Sequence, residues 1–582
     1  MSDQAVAYPH EKAPRGVLAR LVTTLPTPVN LFFLIVAVIL AFLSLYPTFF
    51  LFLGSFRDEP LGVTGSLTMA NYYEAYLEEP GEALHLLLNS LIFAFCSSTF
   101  SILIAMTLAW IAIRTNAPFK GLFELTAILP NVIPALLVSM AWVFLLNPTN
   151  GMLNVFCDNL FGIKPFNIYS MTGLIWVEGM VTAPLAFLII AAAMRSMDPA
   201  LEESAKTLGS TEVGLTWRIT FPLMRPAILA AWTLNFVRAI ESFDTPAIIA
   251  LPAGIEVFTT RIYREALDSF PSNDNLAATY GVGLLVIALI FVAIYQRMTA
   301  RVERFTTVTG KGFRPHSIDL GKWKDWAAGI ALAMLIVMVV VPFITLALIS
   351  LLPYYHTPDL ESLQNLSTKH WQDLLGQRVI SAVWVSLRLA FFSATICIFF
   401  ASCIAYLTVK TKIACRGILD ALVFIPWAFP GTVLALGLLW AYVKFPIPVY
   451  NTIWIIGIAY VTRFLPFALR TVSSTIIQIH KELEEASLIC GAGFVATFRR
   501  IIIPLMRPGI LAGWILLVTI FMREFGGSLF LSSPETEPIG PLLFWLYQDG
   551  FYGTVAALGV FVSVISTGLV LIAYKFARLE AG

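Results

Sequence analysis

The sequence predicts an all-α integral membrane protein of about twelve transmembrane helices, arranged as two parallel six-helix repeats. Three observations carry that expectation. Of 582 residues, 58% are hydrophobic and 13% charged, far from the balance of a water-soluble domain. Apolar runs long enough to cross a hydrocarbon core of about 30 Å recur along the chain. A polar loop at 198–226 returns at 480–508 with one constant offset: Glu203 as Glu485, Gly209 as Gly491, Ile219 as Ile501 and Pro222 as Pro504, each copy closing on Leu-Met-Arg-Pro. Repetition of this kind sets the architecture before any local reading.

Other classes recede on composition. A net charge of +1 implies no nucleic-acid partner. The six cysteines form no CxxC pair and mostly sit in apolar runs, and the six histidines are scattered. Neither a disulfide framework, a metal site nor a catalytic residue is expected. The first 29 residues are polar and basic, and the apolar run after them is too long for a signal peptide.

Six spans are expected in the first half, near 30–54, 87–113, 122–146, 169–194, 227–251 and 278–297. Six more follow near 326–352, 380–408, 418–443, 451–475, 509–533 and 552–575. Lys and Arg crowd the segments on the N-terminal side of the membrane, which makes that side cytoplasmic. Both termini and both polar loops then face the cytoplasm. The expected parts are a segment 1–29, a first half 30–297, a linker 298–325, a second half 326–575 and a tail 576–582. The linker is basic (Arg297, Arg301, Arg304, Lys311, Arg314, Lys322, Lys324), and its charges read as anchors.

The repeat extends beyond the loops. Gly121, Glu124, Pro130 and Pro134 fall on Gly417, Asp420, Pro426 and Pro430, and Ser90-Leu91 falls on Ser386-Leu387. The offset changes between the third and fourth spans, absorbed by an outer loop that is long in one half (147–168) and short in the other (444–450). Equal spans and a shared inward start make a parallel repeat.

Within the polar loop, Asp198 suits a helix cap, Pro199 a first helical position, and Glu202 and Glu203 the positive helix end. Gly209 stands where a helix of about ten residues stops in the left-handed conformation. A second short helix, 212–221, is expected to end before Pro222.

These spacings resemble the EAA signature of permease subunits of binding-protein-dependent ABC importers: Glu203-Ser204-Ala205 with Gly209, and Glu485-Ala486-Ser487 with Gly491. Ser replaces one Ala in each copy, and Phe221 or Ile503 stands for the Leu before Pro. The resemblance covers nearly the whole chain. It implies a type I ABC importer permease fold, each half carrying a permease domain (about 85–297 and 381–575). It also implies that the loops are coupling contacts for a cytoplasmic ABC ATPase subunit, in two copies, and that a periplasmic substrate-binding protein delivers the solute. The location implied is the bacterial inner membrane, with lipid as surroundings. No stretch matches GxxxxGK[ST]; Gly310-Lys311-Gly312 lacks the spacing and the hydroxyl residue. The expectation is therefore a non-enzyme that binds no cofactor itself, ATP being used by the partner.

Charges inside spans are costly and become candidates for function. Arg238, Glu241 and Asp244 recur at helical spacing on the fifth span, flanking Phe243. The eleventh carries Arg523 and Glu524 beside Phe525 and Gly526-Gly527, and Glu178, Arg388 and Arg463 complete the set. Two readings stay open: a polar lining or gate where these spans meet, or structural ion pairs such as Arg238 with Glu241.

Two other function classes are weaker. A major-facilitator secondary transporter also has 6+6 halves, but its GxxxDRxGRR loop has no counterpart in Arg114-Thr-Asn-Ala-Pro-Phe-Lys120. A membrane enzyme lacks any constellation of reactive residues. For the solute, the segments 114–121, 166–170, 241–263 and 460–470 look most like the ferric-iron group of the family, with thiamine, polyamine and phosphonate (2-aminoethylphosphonate) as alternatives.

Overall fold

The computed structural model describes residues 28–302, 317–356 and 364–578, apart from 61, 64, 124–132, 198, 412, 414 and 415. The Asp198 cap, Glu124 and Pro130 of the repeat, and Arg304, Lys311 and Arg314 of the linker lie outside the described residues.

The first half runs α1 (Pro28–Ser55), α2 (Pro80–Arg114), α3 (Ala135–Leu146), α4 (Met152–Phe161), α5 (Met171–Arg195), α6 (Pro199–Thr207), α7 (Phe221–Ile240), α8 (Asp244–Ile249), α9 (Phe258–Tyr263) and α10 (Asp274–Val302). The second runs α11 (Gly321–Leu351), α12 (Gln377–Lys410), α13 (Arg416–Phe424), α14 (Gly431–Tyr442), α15 (Ile453–Ile477), α16 (Lys481–Ile489), α17 (Ile503–Met522), α18 (Gly526–Leu531), α19 (Ile539–Gln548) and α20 (Tyr552–Arg578). Among the described residues nine helices are long and apolar enough to span a membrane, with α3 and α14 as shorter apolar helices. Backbone polar groups have no water to bond in hydrocarbon, which is why the described spans are helical.

In each half the second, fourth and fifth spans pack together: α2 with α5 and α7, α12 with α15 and α17. Repeated bonds tie them. Trp232 Nε1 donates to Thr99 Oγ1 and Trp514 Nε1 to Thr395 Oγ1, both at 3.1 Å. The repeated serines have a matching task. Ser90 Oγ accepts from the Phe258 N–H (3.0 Å), and Ser386 Oγ from the Ile539 N–H (2.8 Å), each satisfying a donor at a helix start.

The first spans cross over. α1 packs on α14 of the other half, and α11 on α3 of the first half as well as on α20 of its own. Small residues permit the approach: a Cβ on Gly54 would lie 2.5 Å from the Trp440 ring, and one on Gly437 2.7 Å from the Pro47 carbonyl. The linker end is also tied down. Ile318 bridges to Thr115, and Asp319 accepts from the Gly321 N–H and from Asn116, which hold its carboxyl below the ordinary aspartate range.

Two expectations need correction. The short helix of each polar loop does not end before its proline. It runs through wide π-helical turns, Thr216–Thr220 and Phe498–Ile502, straight into α7 and α17. A proline ring clashes with the carbonyl four residues back, and a wider turn shifts that carbonyl away. Nor are the fifth, ninth and eleventh spans continuous. The ninth gives way between Phe424 and Gly431, around Pro426 and Pro430, and the fifth and eleventh break near their charged residues, at 241–243 and 523–525.

Candidate functional site: paired loops and a central break

Both polar loops form the same cap. Gly209 and Gly491 take φ of 86° and 81°, as the spacing requires. Around them the Ser210 N–H reaches the Ala205 carbonyl (3.0 Å) and the Ala492 N–H the Ser487 carbonyl (3.1 Å), the six-to-one bond of a Schellman stop. Glu203, Ser204, Glu485 and Ala486 are exposed, Ala205 is buried and Ser487 half-buried.

The acid just before each signature is the residue that sequence reading missed. Glu202 is fully buried, paired with Arg114 at the end of α2, and accepts from Thr220 Oγ1 at 3.0 Å. In the second half Glu484 pairs with Lys410 at 2.6 Å, and Lys410 also donates to the Ile479 carbonyl at 2.8 Å. One acid per loop thus faces the bundle while its neighbour faces outward. Each loop is riveted to the end of the second span of its half.

The fifth and eleventh spans meet at their breaks. The rings of Phe243 and Phe525 stack with centroids 5.5 Å apart and planes 12° from parallel. Tyr263 lies 5.5 Å from Phe243, and Phe544 lies 5.4 Å from Phe525, so one aromatic from each half backs each partner of the stack. Both central rings are buried.

The breaks have local causes. Pro246 has no N–H for the Ser242 carbonyl, and Thr259 Oγ1 donates to it instead (2.8 Å). In the second half the Glu524 carboxylate accepts the N–H groups of Gly527 (2.8 Å) and Ser528 (3.0 Å), starting α18 afresh. The three charges expected on one helical face therefore do not share one. Arg238 lies in the last turn of α7, Glu241 follows that helix, and Asp244 opens α8.

Among the described residues no ion pair joins Arg238 to Glu241. Arg463 instead reaches Glu524 (3.5 Å), and Ser242 Oγ donates to buried Glu178 (3.1 Å). Asp244 and Gly526 approach between the two halves: a Cβ on Gly526 would lie 4.0 Å from the Asp244 carboxylate and 3.9 Å from the Phe243 Cβ. Arg523, Glu241 and Asp244 are half-buried, and Arg238 is exposed. Arg388 is not brought to this centre. No group of three His, Cys, Asp or Glu suited to a metal ion occurs among the described residues.

Comparison with known proteins places this geometry in a family. The family of binding-protein-dependent transport system inner membrane components matches twice, over residues 90–304 and 398–579. A ferric transport system permease protein of Actinobacillus pleuropneumoniae is 27% identical, over 92% of this chain and 76% of its own length. An Fe(3+)-transport system permease protein of Haemophilus influenzae is 24% identical, over 83% of this chain and 89% of its own. A spermidine/putrescine transport system permease protein of Escherichia coli is 28% identical, over 37% of this chain and 80% of its own. Two matches in tandem, each enclosing one polar loop and one broken span, show that the chain belongs to the binding-protein-dependent transport system inner membrane component family, as two permease domains fused in one polypeptide.

Proposed function

We propose that the chain is the membrane pathway of an ATP-driven importer for ferric iron. In this reading a binding protein delivers the solute at the end distant from the polar loops. A separate ATPase subunit, in two copies, docks on α6 and α16 from the cytoplasm of a bacterial cell. The paired loops carry the proposal. Leu208 and Ile489 at their tips are 87% and 86% exposed, an apolar display that suits a protein groove rather than water. Each loop is fixed by an inward-facing acid to its second span and runs directly into a broken fifth or eleventh span. A displacement of the loop by the partner is thereby passed to the Phe243–Phe525 contact.

Ferric iron is favoured by the relatives that cover most of the chain, whereas the polyamine permease matches 37% of it. Reconstitution with the cognate ATPase and binding protein tests both parts. ATP-dependent uptake of radiolabelled ferric iron, with no uptake of spermidine, supports the proposal. Uptake of spermidine instead reassigns the solute, and uptake without the ATPase subunit removes the importer reading.

A further inference from the structure

Arg388 stands on the outer face of α12, exposed, and makes no hydrogen bond, ion pair or ring contact among the described residues. It opens into a groove of about 220 Å³ between α1, α12 and α15 whose remaining wall is nearly all apolar, with Leu43, Phe392, Ile396, Trp454 and Ile458 among its residues. The charge is not part of the repeated scaffold. Ile92 follows Ser90 in the first half as Arg388 follows Ser386 in the second.

Its depth is fixed by the other end of the same helix. Lys410 pairs with the polar loop at Glu484, and Arg388 lies about 33 Å of helix away, about one hydrocarbon thickness. Trp384, one turn nearer the helix start, and Trp454 are 57% and 54% exposed, as tryptophans at a membrane interface are. The guanidinium therefore sits at headgroup level, on the side opposite the polar loops. Below it the groove follows α12 past Phe392 and Ile396 to Phe400, about 18 Å of helix.

We propose that this groove is a binding site for an anionic phospholipid. The phosphate takes the bidentate donors of Arg388, and one acyl chain lies along Phe392 and Ile396. Charge complementarity selects the occupant: a lone cation above an apolar trough matches a molecule with a negative head and a hydrocarbon tail. Because Ile39 and Leu43 belong to α1 and the rest of the wall to α12 and α15, the lipid also bridges the two halves.

The test uses the full chain, purified in detergent and stripped of lipid. Native mass spectrometry follows titration with phosphatidylglycerol or phosphatidylcholine of identical chains. The wild type should retain phosphatidylglycerol about fivefold better, the contribution of one basic side chain near a membrane surface. Arg388→Gln should erase that preference and Arg388→Lys should keep it. Ile396→Trp, which fills the trough, should lower retention of both lipids. Inorganic phosphate in excess should displace neither. Should Arg388→Gln not fold, the lysine and tryptophan variants still decide. A wild type without preference, a glutamine variant that keeps it, unchanged retention in Ile396→Trp, or displacement by phosphate would each overturn the proposal.

Discussion

Two neighbouring acids in each polar loop divide the work. Glu203 and Glu485 face outward, whereas Glu202 and Glu484 turn inward to Arg114 and Lys410. Removing one partner of a buried pair leaves an uncompensated charge, at a cost of about 3–5 kcal/mol. Glu202→Ala should therefore loosen the first loop, seen as faster amide exchange over 199–210, and reduce transport without loss of insertion. Glu484→Ala should do less, since its side chain is 21% exposed. Equal exchange in wild type and Glu202→Ala would remove the rivet. Gly209 and Gly491 bear on the same loops. With nothing within 4 Å of a built Cβ, the first carbon of Gly209→Val has open space, and the main cost is the left-handed backbone, about 1–2 kcal/mol. Transport by this variant should fall at normal membrane levels; unimpaired transport would detach the loop from coupling. The left-handed stop was legible from sequence, because Gly recurs at fixed spacing. The inward acids were not. Glu202 and Glu484 share one repeat offset and Arg114 and Lys410 another, so no single alignment of the halves brings the pairs together.

At the scale of elements, apolar length located the long spans but could not show where the backbone stops being helical. Residues 245–251 carry no charge and are mostly apolar, so the run reads on through a break that hydropathy does not register. The available signals were chemical: Pro246 after a charged cluster in one half, Gly526-Gly527 in the other. Orientation is a separate matter, and α4 provides its test. With Cys157 replaced by serine, a cysteine at Asn159 in α4 should react with an impermeant thiol reagent added outside cells. A cysteine placed within 305–315 should react only after permeabilisation. The reverse pattern would put the polar loops outside and end the case for a cytoplasmic ATPase.

For the whole molecule, the exchange of first spans makes two repeats one body. α1 lies on α14 through Gly437 and the Phe42, Tyr46 and Tyr442 rings, which lie 4.8–6.3 Å apart by their centroids. A chain severed in the linker should still copurify as two halves. Gly437→Leu should weaken that association by about 1–3 kcal/mol, read as a lower yield of the partner half; an unchanged yield would show that α1 does not clasp the second half. At the centre, the breaks of the fifth and eleventh spans bring Phe243 and Phe525 of the two halves into contact, and the proposed transport reading makes this contact the gate. The most direct measurement is a disulfide between Phe243→Cys and Phe525→Cys, followed with the ATPase subunit present. The crosslink should form readily in the resting state, block uptake, and fall in yield when ATP is bound. A crosslink of equal yield in every nucleotide state would show that the two halves do not part there, and that this centre is structural packing rather than a gate.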